Sequence, residues 1–242
     1  MVVNGASIIT CTCKPHCLDT IIDNFTRQRF VPKELVIVIN NNNIDMDLWQ
    51  KNFYLYDNIK IFRTDESITL GESFNYGAKQ AEFNYLFKFD DDDYYGPNYL
   101  VNTINAFKNS NADIVGKSNI FVYFNKSKML ATHKREGENT FISKFIAGAT
   151  ISFKKKVFDK VQFQHLPSGV DRIFIAECLA NNFTVYSADI HDYACIRYGN
   201  VDKHTWKIED NIFMNWCTPV KKIEIKNFYT IVNNETTSSD IL

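Results

Sequence analysis

Net charge is what this sequence has least of. Its 27 Lys and Arg stand against 28 Asp and Glu, leaving a formal charge of −1, so there is no bulk attraction to nucleic-acid phosphates or to anionic lipid. Long apolar runs are also missing. None approaches the ~20 residues that cross a bilayer, so any membrane contact is expected to be peripheral. Met1-Val2-Val3-Asn4-Gly5 has neither a basic head nor a long apolar core, which predicts no secretory signal. Cysteine is sparse. Of the six, Cys11, Cys13 and Cys17 cluster, and Cys178, Cys195 and Cys217 are scattered. Reduced thiols in the cytoplasm are the expectation for such a chain. Together with His16 the clustered cysteines could suggest zinc, but the spacing is that of neither a finger nor a ribbon, and no second ligand pair follows. There is no internal repeat. What the chain does have is 45% hydrophobic residues in 242, enough to bury the core of one large domain, with or without an extension.

The most informative stretch is Tyr85-Leu86-Phe87-Lys88-Phe89-Asp90-Asp91-Asp92-Asp93, an apolar run that ends in four carboxylates, followed by Tyr94-Tyr95-Gly96-Pro97. Adjacent like charges at the end of a buried strand need a cation or water to be tolerated. Carboxylate oxygens suit Mg²⁺ or Mn²⁺, ions that keep coordination positions for substrate phosphates. In an extended segment Asp90 and Asp92 share a side, because side chains alternate with period two. They form an Asp-x-Asp metal pair, and Asp91 and Asp93 are left for a sugar hydroxyl or for hydrogen bonds within the loop. A solvated acidic turn is the plain alternative.

Along the chain, Ser7–Thr12 reads as a short buried strand, broken by Lys14-Pro15-His16. Apolar residues at Leu18, Ile21, Ile22 and Phe25 have helical spacing, and Glu34–Ile39 is an apolar run suited to a parallel strand covered on both faces. Asn40–Asn43 ends that run, where ligands bind in open α/β sheets; an asparagine amide there could pair with a pyrimidine edge. Ile59–Arg63 is a third strand, a helix opens at Leu70-Gly71 and runs to about Ala81, and Phe83–Phe89 is the fourth strand. This alternation predicts a mostly parallel, doubly wound sheet. Pro97 is placed to start a helix. Ala112–Val115, Ile120–Phe124 and Gly148–Phe153 are strand-like, the polar Lys126–Asn139 reads as a mobile hairpin or lid, and Lys154–Lys156 as a solvated helix start. Asp171 precedes a short buried helix over Arg172–Leu179. It is either the N-cap or a general base, since a carboxylate is needed to take the proton from an acceptor hydroxyl. Two late strands, Phe183–Ser187 and Asp192–Tyr198, lead to His204-Thr205-Trp206, where His204 could complete a metal shell or touch a diphosphate and Arg197 could neutralise phosphate charge.

In order and spacing these segments resemble the family 2 glycosyltransferases of GT-A fold from about Ser7 to Trp206. The resemblance implies an α/β, Rossmann-like sheet flanked by helices, with a smaller antiparallel portion in the acceptor half. Residues 1–210 would form the GT-A domain, with 1–97 as the nucleotide-binding half and 98–210 as the acceptor-binding half, and residues 211–242 would form an extension with a frayed end. It also implies that Thr10, Thr12, Asn40, Asn41, Arg63, Gly71, Asn75, Asp90, Asp91, Arg197 and His204 line the donor site, that Asp90, Asp92 and His204 hold Mg²⁺ or Mn²⁺, and that Asp171 is the catalytic base. The implied donor is a nucleotide diphosphate sugar, UDP-sugar favoured. The implied acceptor is a carbohydrate or glycolipid hydroxyl, in cell-surface polysaccharide or glycoconjugate synthesis at the inner face of the cell membrane. Two departures stand out: Asn40 or Asn41 replaces the usual base-binding Asp, and Phe74 stands where Arg or Lys usually precedes Asn75. Lys14 is an alternative to Arg63 for the displaced contact. The rival readings are a nucleotidyltransferase, although Thr10–Cys17 lacks the glycines that cradle a triphosphate, and a degenerate domain that only binds nucleotide or glycan.

Overall fold

The computed structural model describes residues 4–54, 56–199 and 206–235. The first half alternates strand and helix: β1 (Ala6–Thr12), α1 (Leu18–Thr26), β2 (Lys33–Ile39), α2 (Met46–Phe53), β3 (Ile59–Arg63), α3 (Leu70–Gln80) and β4 (Tyr85–Lys88). There follow β5 (Tyr94–Tyr95), α4 (Tyr99–Ser110), β6 (Ile114–Gly116), β7 (Ile120–Phe124), β8 (Met129–His133), β9 (Thr140–Phe141), β10 (Ser152–Lys154), α5 (Lys155–Phe158), α6 (Val170–Ala180), β11 (Val185–Ser187) and β12 (Tyr193–Arg197). The chain ends with α7 (Asp210–Met214), β13 (Thr218–Lys222) and α8 (Tyr229–Val232).

The larger sheet has the order β3-β2-β1-β4-β10-β6-β11-β9. Its β3, β2, β1 and β4 pair in parallel, while β10 runs antiparallel between β4 and β6. Both faces are covered, which is why its strands are continuous apolar runs. Leu35, Ile37 and Ile39 of β2 pack with Ile21, Phe25, Trp49 and Leu100 of α1, α2 and α4. Val36 and Val38 pack with Phe74, Ala78, Val170 and Phe174 of α3 and α6. The start of α3 is set by a reciprocal capping box between Thr69 and Glu72. Further along, Gly77 lets α3 approach the sheet: a Cβ there would sit 2.7 Å from Cγ2 of Ile9. A smaller, mainly antiparallel sheet, β13-β8-β7-β12-β5, stands beside the first.

Several expectations are corrected. The acidic run is not extended. β4 stops at Lys88, and Asp91–Asp93 follow as bends, so period-two alternation does not align Asp90 with Asp92. Pro97 does not open α4, which starts at Tyr99 after Asn98. Lys126–Asn139 contains a regular strand, β8, held in a hairpin by β7 and flanked by β13, with Leu130 and Ala131 fully buried. Gly148–Phe153 is two pieces, a 3-10 turn at Gly148–Thr150 and then β10. Asp171 is not the N-cap of α6; that position is Gly169 at φ 73°, and Asp171 lies in the first turn. Helix α2 was not anticipated from the sequence. Asp45 caps it by accepting from Leu48 N, and Trp49 and Phe53, four apart, fix it to the core.

Candidate active site

The chain leaves β1 toward β2 and β3, then returns to β4 on the other side of β1. That reversal opens a crevice at the carboxyl ends of β1 and β4, the place where open α/β sheets bind ligands. Thr12 closes β1 and its hydroxyl donates to Oδ2 of Asp91 at 2.6 Å. Lys14, just beyond, reaches across the crevice. Its Nζ lies 2.8 Å from Asp91 Oδ1 and 2.7 Å from Asp92 Oδ2. Burial works against this ammonium, but the two carboxylates outweigh it and raise its pKa, so Lys14 is held charged.

Asp93 turns inward instead. It accepts from the Tyr193 hydroxyl at 2.5 Å and the Ile196 amide at 2.9 Å. Burial, together with the charges of Asp92 and Asp90, pushes its carboxyl up to about 8 against those two donors. Asp93 therefore fastens the acidic loop to β12, and Tyr198 adds a bond from its hydroxyl to the Asp92 carbonyl at 3.2 Å.

Asp90 faces the other way, toward α6. Lys88, the last residue of β4 and only 5% exposed, places its Nζ 2.5 Å from Asp90 Oδ1 and 3.7 Å from Asp171 Oδ2. Asp171 is brought there by α6, whose Val170, Phe174 and Ile175 anchor it in the core. Burial raises the Asp171 carboxyl above the ordinary aspartate value; Lys88 opposes that rise and Asp90 adds to it. Its Oδ1 is buried with no hydrogen-bond partner. The Tyr95 hydroxyl ties the two sides together, accepting from the Asp90 amide at 2.8 Å and donating to the Ala149 carbonyl at 2.7 Å.

Other residues anticipated for the donor site are engaged elsewhere. Asn75 spends its whole amide on Phe163, donating to the carbonyl at 2.7 Å and accepting from the amide at 2.9 Å. Arg197 is 2% exposed, with Nε on Asp210 at 2.9 Å and Nη2 on the Ile208 carbonyl. It ties β12 to the segment after it rather than facing the crevice. Arg63 donates to the Ile44 carbonyl. The Asn41 side chain donates to the Cys13 carbonyl and accepts from the Asn43 amide, bracing the crevice rim, and the backbone N–H of Asn40 donates to the Thr12 carbonyl. Thr10 is buried within β1. Gly71 allows contact with the Gln164 carbonyl, which a Cβ would meet at 1.9 Å. His204 lies outside the described residues. Burial pushes the Cys11 and Cys17 thiols up to about 12.

Among the described residues no three His, Cys, Asp or Glu side chains converge as a preformed metal cage. A Mg²⁺-type site needs less than that, since one or two carboxylates plus substrate phosphate oxygens suffice. Asp90 and Asp92 have the hard oxygen donors that suit such an ion, although Asp90 is turned to Lys88 and Asp92 to Lys14. Sequence reasoning missed the role of Lys88, whereas the resemblance did imply that the Gly148-Ala149 turn lies near the acceptor. The available signal was a lysine on the same strand face as buried Leu86.

A doubly wound sheet with an acidic loop at its switch point and a second, smaller sheet beside it is the GT-A glycosyltransferase fold. The family model "Glycosyl transferase family 2" matches residues 7–165, and the chain belongs to that family. No curated protein sequence gives a significant match. Among solved structures, S. aureus TarS 1–349 superposes with a TM-score of 0.65 at 17% identity, over 79% of this chain and 60% of that one. TarS 1–349 in complex with UDP-GlcNAc gives 0.62 at 16% identity, over 82% and 60%. The mannosyltransferase PcManGT from Pyrobaculum calidifontis, in complex with GDP-Man and Mn²⁺, gives 0.61 at 13% identity, over 82% and 60%. At these identities the likeness is one of fold, and this chain spans at most 60% of the length of these structures.

Proposed function

We propose that the protein transfers a sugar from a nucleotide diphosphate sugar, UDP-sugar favoured, to a carbohydrate or glycolipid hydroxyl with inversion of the anomeric centre. The observation that carries this reading is the meeting of Asp90 and Asp171 on one buried ammonium, Lys88. It joins a donor-side carboxylate in the loop after β4 to an acceptor-side carboxylate on α6. The binding of UDP-GlcNAc and of GDP-Man with Mn²⁺ by proteins of this fold supports the donor class.

In this reading Asp90 and Asp92 would turn from Lys88 and Lys14 to hold Mg²⁺ or Mn²⁺, which would neutralise charge building on the departing diphosphate. Thr12, Lys14 and Asp91 keep the rim of the crevice in place, and Lys14 supplies a second cation next to the diphosphate. Asp171 accepts the proton of the acceptor hydroxyl as that oxygen bonds to the anomeric carbon and the bond from that carbon to the diphosphate oxygen breaks. A carboxylate with a raised pKa is the better base for this step. The setting we infer is cell-surface polysaccharide or glycoconjugate synthesis, on the cytoplasmic side, with peripheral contact to the membrane. No helix among the described residues is long and apolar enough to cross one.

The test is incubation with UDP-GlcNAc, UDP-Glc and GDP-Man, with and without Mn²⁺, followed by product analysis. Metal-stimulated release of nucleoside diphosphate supports the proposal. Pyrophosphate release would indicate nucleotidyl transfer instead, and binding without turnover would indicate a recognition module.

A further inference from the structure

Lys88 has no part in the donor or acceptor chemistry just described, and its position calls for an explanation. It pairs with Ile9 in the β1–β4 register. The side chains of Phe87 and Phe89 pack with α1 and α4, whereas that of Leu86 packs with α3 and α6. By alternation Lys88 follows Leu86 onto the α6 face. An ammonium there loses its hydration and persists only against paired carboxylates. Asp90 and Asp171 are those carboxylates, and they come from segments 81 positions apart in sequence. The same oxygen, Oδ2, that faces Lys88 also lies against Gly148, where a Cβ would fall 2.1 Å from it. Oδ2 thus meets both a cation and a bare stretch of backbone, and Oδ1 is unpaired.

We propose that Lys88 is a positioning residue that acts through Asp171, pinning this carboxylate in line with Asp90 so that the base addresses the reacting end of the donor. This rests on the reading of Asp171 as the base. The groups around Asp171 are Lys88 and Asp90 from the β4 end, and Cys11 of β1 stands beside Lys88. Lys88 is the one side-chain cation among these groups.

The experiment is a double-mutant cycle on the full chain, using Lys88→Met, Asp171→Asn and the pair. It reads nucleoside diphosphate release from UDP-GlcNAc, UDP-Glc and GDP-Man with Mn²⁺, alongside thermal unfolding. Lys88→Met is expected to lower kcat about 10²-fold, the usual loss for one such electrostatic contact. It should do almost nothing further when Asp171 is already Asn. Lys88→Arg should recover part of the loss. Thermal unfolding should show the same coupling: Lys88→Met lowers Tm in the wild type by leaving half-buried Asp171 without its cation, and lowers it less in the Asp171→Asn background. A purely structural role would multiply the losses in the pair and lower Tm equally in both backgrounds; either outcome overturns the inference, as would near-normal kcat in Lys88→Met. Near-normal kcat in Asp171→Asn would instead overturn the reading of the base itself. Were Lys88→Met not to fold, Lys88→Gln and Lys88→Arg carry the same cycle.

Discussion

Gly148 lies so close to Asp171 that no side chain fits between them: a methyl group on Gly148 would stand 2.1 Å from Oδ2 and 2.6 Å from Cγ of the carboxylate. The turn that carries Gly148 is held by the Tyr95 hydroxyl on Ala149, and the same hydroxyl accepts from the Asp90 amide. The acidic loop and the wall behind the proposed base therefore share one anchor. Gly148→Ala is expected to push Asp171 aside and lower kcat about 10²-fold, the scale on which a misplacement of ~1 Å acts. Affinity for UDP should be retained. Steady-state kinetics with UDP binding by calorimetry checks this; a kcat within twofold of wild type counts against the arrangement.

The raised pKa of Asp171 has a direct consequence for the pH dependence of transfer. The base works only when ionised, so kcat/KM falls as pH drops through its pKa. Burial lifts that value above the 3.8 of an ordinary aspartate, and Lys88 limits the rise. The acid limb of the profile should therefore have its midpoint above 3.8, and Asp171→Asn should lose about 10² to 10⁴ in rate at every pH. A profile of kcat/KM against pH for the wild type, read beside the variant, decides it.

Asn75 is expected to matter for stability before it matters for the donor. Its amide satisfies both the carbonyl and the amide of Phe163, all in buried surroundings. Asn75→Ala leaves two backbone groups unpaired, at roughly 1–3 kcal/mol each. For a chain of this size each kcal/mol lowers Tm by about 2–4 °C. Scanning calorimetry should show that drop; an unchanged Tm together with weakened UDP binding would restore Asn75 to the donor site.

Acid sensitivity of the fold should trace in part to Glu34. This carboxylate accepts from Ser7 at 2.6 Å and from the Glu82 amide at 2.6 Å, and pairs with Lys60 at 2.9 Å across β1, β2 and β3. Burial works to raise its pKa, but Ser7, Glu82 and Lys60 together hold it below the usual 4.5. A depressed folded-state value means stabilisation that is fully present above pH 4.5 and lost as pH falls through the lower, folded value. Glu34→Gln should flatten the acid limb of unfolding free energy against pH; a parallel, merely shifted curve would contradict this.

The parallel half of the fold was readable because strands covered on both faces must be apolar throughout. Glu34–Ile39 matches β2 nearly residue for residue, and the helix opening at Leu70 matches α3. Strand β8 was not readable, since its Met-Leu-Ala-Thr-His core is short and its flanks are polar. What buries it is pairing with β7 and β13. The acidic loop announced a site, but its geometry did not follow from sequence. The four adjacent aspartates turn three ways: Asp90 to Lys88 with Asp171 beyond it, Asp91 and Asp92 to Lys14 with Thr12 also on Asp91, and Asp93 to Tyr193. Arg197 shows the converse. A late arginine suggested a phosphate contact, yet Asp210 and the Ile208 carbonyl take up its guanidinium.

The central claim is a division of labour, with Asp92 serving the donor diphosphate through a divalent cation and Asp171 serving the acceptor. Calorimetric titration of UDP into wild type, Asp92→Asn and Asp171→Asn, each with and without Mn²⁺, tests it most directly. The account predicts Mn²⁺-dependent UDP binding in the wild type, its loss in Asp92→Asn and its retention in Asp171→Asn. Equal UDP binding by wild type and Asp92→Asn, indifferent to Mn²⁺, would contradict it.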